Sequence, residues 1–172
     1  MKYKKDIARK FVEEKRQNAV YAKAGVFELV IILDSLKETF NAGKIFRSAE
    51  IFSVKEVHLI QIPFFDPFPA KGAVRYVPMR CYDSFSQSYE HLKNEGYEFY
   101  VFDAQSDVVL GQTQLAKKAT FVFGPEAGGF SFAPEKYPDL HKIRIQQFGK
   151  IESLNVSIAA SIAMYEYVRQ HS

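Results

Sequence analysis

The chain has 172 residues, 47% hydrophobic and 25% charged, with a formal net charge of +3, which is globular composition with room for one well-buried core. Its one cysteine, Cys81, excludes an intramolecular disulfide and a cysteine-based zinc cluster, and His58, His91, His141 and His171 never fall at metal-ligand spacing, so no metal is expected. No apolar run approaches the ~18 residues of a membrane span, and the N-terminus has charges without an apolar signal core. A cytoplasmic protein with no membrane partner is expected.

The charge is uneven. Residues 1–16 hold seven basic against three acidic groups, whereas the rest of the chain holds 16 basic against 17 acidic. Within this basic segment Tyr3, Ile7 and Phe11 recur at i, i+4 and i+8, with Ala8 and Val12 beside them. This predicts a helix that docks by one apolar stripe and shows Lys and Arg outward, toward a phosphate backbone or simply toward solvent. Residues 1–24 therefore read as a basic helical extension and 25–172 as one α/β domain.

Glu28–Leu33 is a buried strand by its β-branched continuity. Ala42, Ile45, Phe46, Ala49 and Phe52 follow at helical spacing, and Lys55–Ile62 reads as a second strand. A strand–helix–strand unit implies parallel pairing. His58 falls inside that second strand and is expected as a satisfied core histidine. Cys81 is expected as a packed thiol. Residues 63–73 are Pro-rich and loop-like, and Phe64–Phe68 is expected either to pack over the sheet edge or to stack on a base. Arg75–Arg80 reads as a short strand and Tyr82–Asn94 as a helix stopped by Gly96. Tyr97–Phe102 and Ala119–Phe123 are further strands, and Ala133–Leu140 is a Pro-bounded turn or short helix. Lys142–Ile145 reads as a last strand and Leu154–Arg169 as the last helix. The expected fold class is α/β, a mostly parallel sheet with helices on both faces.

Ligands collect at the carboxyl ends of parallel strands, and three polar clusters are expected there. In Asn41–Ser48, Asn41 fits a helix N-cap. Lys44 and Arg47 share the polar side of the helix, as a cationic pair for a phosphate or oxyanion or as partners of Glu50. In Phe123–Gly129, three glycines around Glu126 allow close backbone approach, yet the segment is neither a G-x-G-x-x-G fingerprint nor a P-loop. In Ile145–Ser157, Ser153 is a plausible N-cap, which leaves Asn155 harder to explain. Ala159, Ala160 and Ala163 allow another helix to approach closely, within the chain or in a dimer.

N-x-G-x-x-x-R-S at 41–48, F-G-P-E-x-x-G at 123–129 and I-x-x-x-G-x-x-x-S-L-N-V-S at 145–157 resemble the three motifs of the SpoU (TrmH-like) RNA ribose methyltransferases of the SPOUT superfamily. The resemblance spans about residues 27–170. It implies a C-terminal trefoil knot, S-adenosylmethionine bound in it with S-adenosylhomocysteine as product, and methyl transfer to a ribose 2′-hydroxyl of RNA. It also implies a homodimer through the C-terminal helix, whose Ala-rich face would form much of the interface. By motif position Arg47 is catalytic, Asn41 organises its site, Glu126 is the second-motif glutamate, and Ser153 and Asn155 are the third-motif pair. Phe102, Gly124, Ile145, Ser153 and Leu154 match cofactor-binding positions. Gln146-Gln147 departs from the usual Pro-Met. The RNA is expected to be tRNA rather than rRNA, because the chain shows no large accessory domain. A catalytically silent RNA-binding relative, a base methyltransferase and an unrelated nucleotide-binding domain are the competing readings. Retention of Asn41 and Arg47 weighs against the first, S-L-N-V-S against the second, and the missing phosphate loops against the third.

Overall fold

The computed structural model describes residues 2–36, 39–125 and 129–172. Four helices are present among them: α1 (Lys2–Tyr21), α2 (Thr39–Ile51), α3 (Phe85–Asn94) and α4 (Val156–His171). The strands are β1 (Phe27–Asp34), β2 (Val54–Ile60), β3 (Met79–Tyr82), β4 (Glu98–Phe102), β5 (Ala119–Phe123) and β6 (Leu140–Ile143). They form one sheet in the order β3-β2-β1-β5-β4-β6, and every neighbouring pair is parallel. All six carboxyl ends therefore share one edge.

Alternation along β1 splits the core. Leu29, Ile31 and Leu33 join Ala42, Ile45 and Phe46 of α2 and Ala160, Ala163 and Met164 of α4 on one face. Val30 and Ile32 join Phe85, Tyr89 and Leu92 of α3 on the other. Helices thus cover both faces, as a sheet buried on two sides requires. Ile7 and Phe11 of α1 are buried, and Phe11 meets Phe65 edge-on at 4.9 Å. Val12 is about half exposed, so the docking stripe continues instead through buried Asn18, whose amide donates to the Val74 and Val77 carbonyls.

Several expected boundaries move. Residues 73–75 form a 3₁₀ turn, and the strand expected at 75–80 is β3. Helix α3 starts at Phe85, where the Gln87 side chain accepts from the Ser84 N–H. Strand β6 lies two residues earlier than expected, and α4 two residues later. Cys81 is exposed rather than packed, because β3 is an edge strand; the Lys15 ammonium lies 3.6 Å from its sulfur. His58 is fully buried with both ring nitrogens partnered, as expected for a core histidine. Among the described residues, no helix is long and apolar enough to cross a membrane.

Candidate active site

The carboxyl edges of β4, β5 and β6 open into a cleft of about 160 Å³. Its walls come from Phe102 to Ala104 after β4, Phe123 to Pro125 after β5, Ile143 to Ile145 after β6, and the approach to α4 at Ser153, Leu154 and Val156. Phe102, Gly124, Ile145, Ser153 and Leu154, all assigned to cofactor binding from the sequence, line this one cleft. The wall is aromatic and aliphatic: Phe102 stacks on Phe123 with centroids 4.5 Å apart. Asp103 supplies a carboxylate at the rim, 3.3 Å from the Lys142 ammonium.

Gln147 also lines the cleft. With its amide turned nitrogen-first, it donates to the Ile151 and Glu152 carbonyls at 3.3 and 3.2 Å. Gln147, at the position of the usual Met, thus ties the 147–152 loop to itself through its side chain.

Asn41 and Asn155 join the cleft to α2. Asn41 is not an N-cap, because α2 begins at Thr39; it sits buried in the first turn. Its Oδ1 accepts from Asn155 Nδ2 at 3.2 Å. Asn155, rather than Ser153, caps α4: its Oδ1 accepts from the Ser157 N–H at 3.0 Å and from Ser157 Oγ at 2.6 Å. Ser153 is exposed at the cleft mouth. One turn beyond Gly43, Arg47 is exposed and, among the described residues, makes no ion pair or hydrogen bond, so the expected alternative pairing with Glu50 is not made. Lys44 is exposed with it. Gly43 is required here: a Cβ would stand 2.7 Å from the Asp66 carbonyl oxygen. Glu126 lies outside the described residues.

The sequence reading missed two residues. Asp34, at the end of β1, is fully buried, and its carboxylate accepts both the N–H and the Oγ–H of Ser131. Burial pushes this carboxyl above its ordinary value, while the two Ser131 bonds pull it back. An acid closing an otherwise apolar strand was the available signal. Arg144 lines the cleft with its Nε buried and without a partner among the described residues.

A parallel α/β sheet with an open cleft at its carboxyl edge has the form of a ligand site. The SpoU rRNA methylase family model matches residues 28–165, and the chain belongs to that family. An uncharacterised tRNA/rRNA methyltransferase of Synechocystis is 35% identical over 147 residues, which is 83% of this chain and 38% of that protein. A 23S rRNA (guanosine-2′-O-)-methyltransferase of Nitrosomonas europaea is 31% identical over 152 residues, 84% of this chain and 57% of that one. The chain thus spans less than two thirds of the length of both. Among solved structures, the SpoU methyltransferase AviRb of Streptomyces viridochromogenes, in complex with AdoMet, superposes with a TM-score of 0.76 at 22% identity, covering 86% of this chain and 58% of that one. A structure concerned with 2-OH methylation of C/U34 on tRNA gives 0.71 at 28% identity, covering 83% and 95%.

Proposed function

We propose that this chain is an S-adenosylmethionine-dependent RNA 2′-O-ribose methyltransferase. The observation that carries the reading is an exposed Arg47 that makes no ion pair or hydrogen bond among the described residues, on the same helix as Asn41, which is linked to Asn155. The cleft fits the cofactor chemically. Phe102, Phe123, Ile145 and Leu154 offer an apolar slot for a flat purine. Asp103 and Ser153 are placed at its polar margin for hydroxyls, and the unpartnered Arg144 Nε–H suits a carboxylate. When bound, S-adenosylmethionine supplies a methyl group on an electrophilic sulfonium, and S-adenosylhomocysteine is the product.

The protein's task is to bring a ribose hydroxyl to that group. A guanidinium is protonated at neutral pH, so Arg47 acts as a donor rather than a formal base. It orients the 2′-oxygen and stabilises the charge that grows there as the O–CH3 bond forms, the sulfur–methyl bond breaks and the hydroxyl proton passes to solvent water. Asn41 and Asn155 fix where α2 stands relative to the start of α4. Glu126 and Ser153 complete the site in this proposal.

The RNA we favour is tRNA. The compact structure concerned with tRNA 2-OH methylation supports this, since 83% of this chain covers 95% of it. The exposed bases of α1, Lys4, Lys5, Arg9, Lys10, Lys15 and Arg16, are suited to hold its backbone. Residues 1–24 and 25–172 are accordingly proposed as an RNA-holding extension and a SPOUT-type catalytic domain, in a cytoplasmic protein. The trefoil knot belongs to the same proposal. Its support is the 103–118 segment, tied on one side to β6 through Ser106 Oγ to the Lys142 carbonyl and Leu110 N–H to the Arg144 carbonyl. The same segment is tied to the end of α4, where Gln170 bonds Leu115 N–H and the Thr113 carbonyl.

A homodimer through α4 is also proposed, but not by its alanines. Ala160 and Ala163 are fully buried within the chain, where Ser161 Oγ meets Ser48 Oγ at 2.7 Å. The face left open carries Ile158, Ile162 and Tyr165.

Methyl transfer from labelled S-adenosylmethionine to RNA of a strain lacking the gene tests the activity, with mass spectrometry of ribose-methylated nucleosides in tRNA and rRNA. Arg47→Ala is expected to cut turnover by about 10²–10³-fold, the loss typical of one oxyanion-stabilising donor. Calorimetry should show cofactor affinity near wild type. Wild-type turnover in Arg47→Ala would sink the assignment.

A further inference from the structure

We propose that Phe68, with Lys71 stacked on one face of its ring, is a nucleobase-stacking subsite for single-stranded RNA beside Arg47. The proposal deepens the methyltransferase reading and rests on it for the identity of the partner. Phe68 is 68% exposed at the tip of the 63–73 segment. Its ring carries the Lys71 ammonium 4.3 Å from the centroid. One face is thus taken by a cation, and the open area belongs to the other face and the rim. A flat, electron-rich surface held in this way is what an unstacked base uses, and the ammonium stands ready for the adjoining phosphate.

The platform is rigid. Pro67 and Pro69 flank Phe68, and the 68–70 turn closes with Ala70 N–H to the Pro67 carbonyl and Lys71 N–H to the Phe68 carbonyl. Buried Asp66 accepts the Phe68 N–H at 2.9 Å. Lys71 takes the left-handed conformation, with φ of 52°, that ends the turn and brings its side chain back over the ring. Such fixing costs nothing further when a base arrives.

Its place beside the proposed catalytic arginine follows from α2. The Asp66 carbonyl and the Pro69 ring pack against Gly43, whose missing Cβ permits the approach. Arg47 follows Gly43 by one turn on nearly the same helix face, a rise of about 6 Å. Behind the tip, Phe65 stacks on Phe46 of α2 at 5.2 Å and meets Phe11 of α1 edge-on. The loop is thereby wedged between the basic helix and the helix that bears Arg47. Lys71 stands upon the ring, and Lys44 and Arg47 are exposed on the helix that packs against this loop. That charge favours a nucleic acid over a second copy of the chain as the occupant.

The test uses the full chain and stem–loop RNAs carrying 2-aminopurine at successive loop positions, whose fluorescence is quenched by stacking. Wild type, Phe68→Trp and Phe68→Tyr are expected to quench at least one position. Phe68→Ala and Phe68→Leu should lose that quench and bind about tenfold more weakly. Lys71→Ala should weaken binding several-fold and lower its salt dependence. Melting temperature, oligomeric state and S-adenosylmethionine affinity should not change, since Phe68 is outside the cofactor cleft. A Phe68→Leu variant as good as wild type, no quench with wild type, or a shift in oligomeric state on substitution would each overturn the subsite. Quenching by wild type without methyl transfer to any RNA would keep the subsite and remove the methyltransferase reading instead.

Discussion

Asp34 is the residue on which the candidate site leans most without touching the cleft. Its carboxylate is fully buried, and it accepts two hydrogen bonds from Ser131, in the segment that follows the second motif. A buried carboxylate satisfied by one residue of a loop makes that residue a tether. In Asp34→Asn the amide oxygen can still accept the Ser131 N–H, but Nδ2 must donate to Ser131 Oγ, which reverses that bond and leaves one buried amide N–H unsatisfied. The substitution is expected to cost about 1–3 kcal/mol in urea unfolding. Ser131→Ala removes one bond only and should cost about 1 kcal/mol. In a double-mutant cycle the two should be strongly non-additive. Calorimetry should also show weaker cofactor binding in Asp34→Asn, because Gly124 and Pro125 of the same β5–β6 segment line the cleft. Additive stability losses with unchanged cofactor affinity would leave Asp34 a plain core residue.

On the element scale, β2 carries a buried polar strip under α3 that sets a pH limit on the fold. His58 Nδ1 meets Ser88 Oγ at 2.7 Å, and Nε2 meets Glu56 at 3.0 Å. The Arg80 guanidinium holds the other Glu56 oxygen at 2.8 Å, and the Tyr82 and His91 rings lie 5.0 and 6.1 Å from the imidazole. The neutral tautomer with hydrogen on Nε2 satisfies both ends. Burial lowers the His58 pKa, against the pull of Glu56. Burial works against the Glu56 carboxylate too, but its bonds to His58 and Arg80 outweigh it and hold the pKa at about 2. For a histidine lowered in the fold, the unfolded chain takes the proton first. Stability is therefore present above pH 6.5 and falls below it, by up to about 1.4 kcal/mol per pH unit. The Glu56 contribution is present above 4.5 and is lost only as pH falls from there toward 2. Melting temperature should fall between pH 7 and 5 in wild type, and His58→Gln should flatten that stretch while leaving the steeper acid limb. Parallel curves for the two proteins would refute the role of His58.

The legibility of these elements follows from where their determinants lie. Strand β1 and helix α2 were readable because β-branched continuity and the Ala42–Ile45–Phe46–Ala49 spacing are local, and the same spacing put Arg47 on the open side. Strand β3 was misplaced because the Val74 and Val77 carbonyls are taken by the distant Asn18 amide, which no local pattern records. Ser153 and Asn155 are both good cap formers, and the path of the 144–155 loop chose between them. The five positions proposed for the cofactor converge on one cleft only because β4, β5 and β6 lie side by side. Motif resemblance carried that information, and composition did not. Phe68 read as one loop aromatic among several until the packing on Gly43 separated it from buried Phe65.

For the whole molecule, the open face of α4 decides whether the proposed site works alone. Ile158, Ile162 and Tyr165 follow at i, i+4 and i+7, and are 51%, 38% and 58% exposed. Ile51 of α2 is 65% exposed, and Phe148 and Ile151 stand almost fully out of the loop that leads to α4. Scattered apolar side chains are normal on a surface, but a stripe on one helix next to the cleft calls for cover. A second copy is the simplest cover, since a two-fold contact is self-complementary. Because the stripe begins one turn beyond Asn155, such a contact would also close the mouth of the cleft. Ile158→Glu with Ile162→Glu should convert a dimer to a monomer in light scattering, because a charge pair facing its own copy repels. The monomer's melting temperature should change little with protein concentration, whereas that of wild type should rise with it. If the site is completed across the interface, methyl transfer should fall far more than the fraction of folded protein does. A wild-type chain that is monomeric at every concentration and still transfers methyl groups would show that the stripe serves another surface and that one copy suffices.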